Sequence, residues 1–227
     1  MEKLKVIEAG GHPVPDENSM LGGKLGLELA RKVGGEDDVL IVLISGGGSA
    51  LFLLPEEGIS LDDKIRTNEL LLRSGGARIY EINTVRKHIS AVKGGGKLAK
   101  RVKGGRIISL ILSDVVGDPL EAIASGPTVK DPPTTFEDAF RILNLYGVWD
   151  QLPESVRRHI ELGLRGGEVE ETLKEDLPNV HNFIVGSNTL ACESALKKAR
   201  ELGYNPLLLT TTLEGGRPGR WPSPLAR

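Results

Sequence analysis

An α/β fold with a mostly parallel, doubly wound sheet is predicted by three observations. Apolar runs of strand length alternate with helical stretches long enough to cross back over a sheet, which is the pattern of βαβ units. The strongest run, Val39-Leu40-Ile41-Val42-Leu43-Ile44, is apolar at every position, as expected of a parallel strand covered on both faces. The runs also stop abruptly in hydroxyl or glycine residues, at Ser45, Ser113 and Gly186, where sheets of this class carry their ligands.

Taken in order, Leu4 to Glu8 reads as a short strand stopped by Gly10-Gly11-His12-Pro13, since two glycines and a proline forbid regular continuation. Ser19 is the expected N-cap of a helix from Met20 to Lys32, in which Leu21, Leu25, Leu29 and Ala30 keep a helical spacing. After the strand at 39–44, helices are expected over Leu61 to Arg73, with Asp62 and Asp63 favoured in its first turn by the helix dipole, and over Ile79 to Val92. Arg106 to Leu112 is the next strand. Helices at Thr135 to Leu145 and Glu154 to Leu164 form an α-rich insertion or flank. Asn182 to Gly186 resumes the sheet, a helix follows from Ser187 to Glu201, and Pro206 to Thr210 is the last expected strand. The whole predicts a Rossmann-like domain over residues 1–213 with helices on both faces of the sheet. The loops 45–49, 113–114 and 186–188 should meet in one crevice.

Composition narrows the function. The chain has 227 residues, a formal net charge of -2 and 4% aromatics, so it lacks the basic footprint and the stacking groups that nucleic-acid binding requires. The single cysteine, Cys192, cannot close an internal disulfide and fits a reducing, cytoplasmic setting. No apolar run reaches the length of a membrane span. The four histidines, His12, His88, His159 and His181, show no metal-binding spacing.

Three clusters can carry chemistry. Ser45-Gly46-Gly47-Gly48-Ser49 offers consecutive peptide N–H groups unshielded by side chains, which makes either an anion cradle or a plain glycine turn. It matches neither the Walker pattern nor the dinucleotide fingerprint. Asn83, Arg86, Lys87 and Ser90 lie at helical spacing ahead of Lys93, and such groups bind a carboxylate or phosphate or form a solvated basic face. Ser113-Asp114 and Asp118 place two carboxylates past a buried strand, suited to Mg²⁺ with its phosphate ligands, to accepting a hydroxyl proton, or to capping a helix. Ser125, Gly126 and Thr128 add hydroxyls and a turn close behind, and Ser187 and Asn188 do so after the third strand.

Five ordered segments, Ala9 to Asn18, Ser45 to Ala50, Glu81 to His88, Ser113 to Asp118 and Ile123 to Thr128, together resemble the MOFRL-type glycerate 2-kinase family. The resemblance implies transfer of the ATP γ-phosphate to the 2-hydroxyl of glycerate with Mg²⁺, in a crevice between an α/β domain and a smaller C-terminal domain. It implies the glycine loop on a phosphate or the substrate carboxylate, Arg86, Lys87 and Lys93 around the anions, and Asp114 orienting or deprotonating the hydroxyl. Some family members are labelled hydroxypyruvate reductase, but the sequence has no nicotinamide fingerprint. A fragment that only binds a small anion, nucleotide or partner protein is the alternative, and a homodimer is compatible with either. The family pattern further implies a stretch with an active-site lysine before the first strand and a C-terminal domain with a catalytic arginine, both outside these residues. Residues 214–227 diverge from the pattern, with prolines at 218, 222 and 224. Gly10-Gly11, Gly75-Gly76, Gly94-Gly95-Gly96, Pro132-Pro133 and Gly166-Gly167 each read as one residue longer than the pattern.

Overall fold

The computed structural model describes residues 4–10, 14–131 and 133–213. Helix α1 (Glu17–Lys32) leads into β1 (Val39–Ile44), the short α2 (Gly48–Leu51), α3 (Leu61–Arg73) and α4 (Ile79–His88). Strand β2 (Arg106–Leu112), α5 (Phe136–Leu145), α6 (Glu154–Arg165), β3 (Val180–Gly186) and α7 (Asn188–Glu201) complete the order. The sheet is parallel, in the order β1-β2-β3, with Ile44 beside Ile111 and Leu112 beside Gly186. That register brings all three carboxyl ends to one edge, so the loops after Ile44, Leu112 and Gly186 leave from the same place.

One face of the sheet carries the core. Ile107 and Ile111 of β2 are 0% and 1% exposed, and they pack with Leu27 and Ala30 of α1, Val92, Leu98 and Ala99, and with Ile123. A second, larger cluster unites α3 to α6 through Leu71, Ile82, Val85, Ile89, Phe136, Leu143, Val156 and Ile160. The segment expected as a flank, α5 and α6, is therefore the packing partner that fixes α4.

The other face is open among the described residues, which corrects the expectation of helices on both. Ile41, Leu43, Phe183 and Val185 are 61%, 76%, 52% and 58% exposed. Topology explains this, because right-handed crossovers that all step in one direction, β1 to β2 to β3, keep their helices on one side. For the same reason the described strands contain no reversal of order, and the Rossmann-like detail has no counterpart in them.

Four local expectations are also corrected. Leu4 to Glu8 and Pro206 to Thr210 are irregular and exposed, Leu4 at 75% and Leu207 at 81%. A parallel strand exists only through its ladder, and neither segment reaches one. Asp16, not Ser19, caps α1: its carboxylate accepts from Ser19 N at 2.8 Å, while Ser19 Oγ accepts from Asp16 N at 3.2 Å. Helix α4 stops at His88 because the next residues pair elsewhere, with Ala91 N donating to Leu54 O and Glu56 N to Ile89 O.

The loop before β3 is tied to α4 and α5 by Glu171. Its carboxylate accepts from His88 Nε2 at 2.8 Å, Phe136 N at 2.9 Å and Thr172 N at 2.7 Å, and His88 Nδ1 lies 2.7 Å from Thr84 O. Partial burial opposes ionisation, but His88 and the two amides outweigh it and hold the Glu171 carboxyl down to about 2, from 4.5. A carboxyl lowered on folding contributes stability above its unfolded value that is lost as pH falls through its folded one. Stability is therefore expected to fall between about pH 4.5 and 2, and Glu171→Gln to flatten that acid limb in urea melts at stepped pH.

Candidate active site

Two of the three strand-end loops close on one another. Gly47, at φ +81°, turns the chain from β1 into α2 and leaves Ser49 Oγ 2.7 Å from Ser125 Oγ. Ser125 is presented by a left-handed run, Ala124 at φ +49°, Ser125 at +63° and Gly126 at +60°. Non-glycine residues hold that conformation only where their surroundings enforce it, and such strain gathers at functional sites. Asp114 leans over the glycine loop: a Cβ at Gly46 would lie 2.1 Å from its Oδ2. Gly46 is thus required by close approach of the carboxylate, and Gly48 likewise by the Ala124 methyl, 2.7 Å from any Cβ there.

Beside this loop lies a cavity of about 100 Å³ lined by Ser49, Lys64, Asn68, Arg86 and Lys93 together with Pro15, Ala50 and Leu53. Its charged groups among the described residues are all cationic. Lys93 Nζ donates to Ser49 O, Arg86 Nε donates to Asn68 Oδ1 at 3.0 Å, and Lys64 Nζ donates to Ile89 O at 3.3 Å. Burial, with Arg86 close by, holds Lys93 down to about 7, and burial with Lys93 and Arg86 nearby pushes Lys64 well below the ordinary lysine range. Burial also lowers Arg86. Lys64 on α3 was not among the residues singled out from sequence, because a lysine inside an amphipathic helix reads as a solvated side chain. Only the fold shows it to be 1% exposed.

Other singled-out residues stand elsewhere. Lys87 faces away from Arg86 and forms a buried ion pair with Asp131 at 3.1 Å. It borders a larger cavity of about 580 Å³ whose lining includes Asn83, Glu81 and Glu121, and in which the two cations, Lys87 and Arg141, are already paired with Asp131 and Asp138. Asn83 Oδ1 lies 3.5 Å from Arg86 Nη1, at the limit of contact. Thr128 is held in the sheet core, accepting from Ser109 Oγ at 2.9 Å and donating to Asn182 Oδ1 at 2.7 Å. Ser113 Oγ closes a local turn with Val115. Gly186 O accepts from Ser113 N at 2.8 Å, which brings the third loop alongside, but Ser187 caps α7 and Asn188 Nδ2 donates to Thr211 O at 2.6 Å. Asp118 occupies a left-handed turn at φ +55°, and among the described residues no group of three or more His, Cys, Asp or Glu forms a metal cluster. No helix among the described residues is long and apolar enough to cross a membrane.

The sequence profile described as Domain of unknown function (DUF4147) matches residues 1–161. A glycerate 2-kinase from Pyrococcus horikoshii is 65% identical over 95% of this chain and 47% of its own length. A D-glycerate 2-kinase from Thermotoga maritima is 44% identical over 94% of this chain and 48% of its own length. The crystal structure of glycerate kinase from Thermotoga maritima superposes with a TM-score of 0.79 and 43% identity, covering 90% of this chain and 46% of that one. The chain thus spans about half the length of the relatives it matches. With residues 1–161 under that profile, the chain belongs to the DUF4147 family.

Proposed function

We propose that the protein is a glycerate 2-kinase, which moves the γ-phosphate of ATP to the 2-hydroxyl of glycerate and forms 2-phosphoglycerate. One observation carries this reading: a glycine loop under a carboxylate lies beside a buried pocket whose charges are all cationic. Phosphoryl transfer depends on positioning and charge neutralisation more than on covalent chemistry by the protein, and this arrangement supplies both. In the proposal Ser45 to Ser49 cradle a phosphate, Arg86 and Lys93 hold anionic oxygens, and Asp114 orients the acceptor hydroxyl and takes its proton. Ser125 and Gly126 position Ser49. Lys87, Asn83, Thr128, Ser187 and Asn188 support the frame, since their polar groups are engaged within it.

A Mg²⁺ ion bound with ATP commonly takes only one or two protein carboxylates, with the rest of its oxygens from phosphates and water. Asp114, leaning over the glycine loop, fits that donor set, with Asp118 four residues on as a second candidate. The ion would neutralise phosphate charge there. Residues 1–213 form the α/β phosphate-handling domain in this reading, and the reaction is placed in the cytoplasm, in keeping with one unpaired cysteine. A homodimer through the open apolar sheet face is also proposed, and light scattering that returns the 24.4 kDa monomer mass would remove it.

With glycerate and Mg-ATP, the protein is expected to release ADP in a coupled assay and to yield 2-phosphoglycerate. Oxidation of NADH on hydroxypyruvate with no ADP from glycerate would replace the kinase by a reductase. A second reading is favoured by the open sheet face and by α7, which buries none of its residues: the chain binds the small anion without turning it over. Calorimetric binding of glycerate with no ADP formed would select it.

A further inference from the structure

We propose that Lys64, acting with Arg86 and Lys93, binds the carboxylate of the acceptor and so selects a small 2-hydroxy acid over a neutral polyol. The inference rests on the kinase reading and assigns a part of that site which the motifs left out. Three cations reach the cavity from three segments, α3, α4 and the loop after α4, and among the described residues no carboxylate lines it. The nearest acid that faces Lys64, Glu56, is already bound to Lys97 at 2.6 Å. Lys64 has three donors, and among the described residues its one protein acceptor is the Ile89 carbonyl. A lysine that is 1% exposed with donors to spare, beside Arg86 and Lys93, carries its charge only at a cost, and an entering anion removes that cost by restoring the charged form.

Size then narrows the anion. The cavity of about 100 Å³ holds roughly three waters at about 30 Å³ each, the volume of a carboxylate with one or two carbons. Pockets for nucleotide-sized ligands run to roughly 300–1,000 Å³, so the triphosphate belongs outside, on the glycine loop. Ser49 joins the two places, because it lines the cavity and closes the loop against Ser125. A carboxylate seated on the three cations therefore leaves the neighbouring hydroxyl near the loop that Asp114 overhangs.

The test is calorimetric titration of the full chain and of Lys64→Met and Lys64→Gln with glycerate, glycerol, inorganic phosphate and ATP. Wild type is expected to bind glycerate and not glycerol. Both variants should lose at least about 10-fold in glycerate affinity, the equivalent of roughly 1.4 kcal/mol, with ATP affinity unchanged. Since Lys93 is held near 7 beside Lys64, Arg86 and the Lys97–Glu56 pair, binding at pH 8 should take up a proton, visible as a dependence on buffer ionisation heat. Thermal melts certify that each variant is folded. Unchanged glycerate affinity in a folded variant overturns the proposal even if ADP is still formed. Equal affinity for glycerol, or phosphate binding that displaces no glycerate and is lost in the variants, overturns it too. Loss of glycerate binding in the variants supports it even if no ADP appears, in which case only the kinase reading falls.

Discussion

Asp114→Asn is expected to lower glycerate phosphorylation by roughly 10²- to 10⁴-fold, the range for loss of a positioned acid–base group. Thermal unfolding should shift by no more than about 0.5 kcal/mol, because Asp114 is exposed and a surface change of this kind leaves packing intact. The asparagine keeps the shape against Gly46 and removes the charge and the proton-accepting capacity together. Gly46→Ala supplies a complementary check. Its new methyl would occupy the place of the Asp114 carboxylate, 2.1 Å from Oδ2, so it should displace that side chain and reproduce the kinetic loss with the carboxylate still present. Steady-state kinetics on both variants measure the effect. Full turnover in folded Asp114→Asn would reassign the proton acceptor, with Lys93, held down to about 7, as the next group to test.

Gly95→Ala is expected to cost roughly 2–5 kcal/mol of folding stability, and a domain of this kind has only about 5–15 to lose. Gly94, Gly95 and Gly96 run in succession at φ +75°, +56° and +64°, which an L-residue adopts at a cost of about 1–2 kcal/mol. The turn is also enclosed. A Cβ at Gly95 would sit 2.3 Å from Thr172 Cβ and 3.0 Å from Asp131 Cβ, and overpacking of that severity adds about 1–3 kcal/mol. Leu173 N donates to Gly95 O at 2.8 Å, so the strain would pass into the loop that Glu171 fastens and to the Asp131 that holds Lys87. Urea unfolding compares this variant with Gly75→Ala, where φ is +79° but nothing lies within 4 Å of the added carbon. Gly75→Ala should pay only the conformational part. Equal losses in the two variants would show that backbone strain alone governs the turn.

Much of the frame is legible in the chain itself, for local reasons. The apolar run 39–44, the run 106–112 and the helices with capping residues at their starts are determined by propensity and by backbone bonds within a few residues. The glycine loop is legible as well, because five residues after a buried strand suffice to define it. Asp114 was readable from its position just past the second strand, and Arg86 and Lys93 from the density of cationic groups.

Other features depend on contacts between distant segments. Whether Leu4 to Glu8 or Pro206 to Thr210 forms a strand is decided by whether a ladder partner is there, and their composition carries no information on that. The open sheet face likewise follows from the direction of the crossovers, which alternating elements leave undetermined. Lys87 and Arg86 are adjacent in sequence, yet one is held by Asp131 behind α4 and the other opens into the cavity, because a helix turns successive side chains by about 100°. The same geometry buries Lys64. By itself the sequence determined the class of fold, its main elements and the glycine loop of the candidate site. Only the tertiary structure decided which cations meet without a counterion, since burial and charge pairing are properties of segments brought together from far apart in the chain.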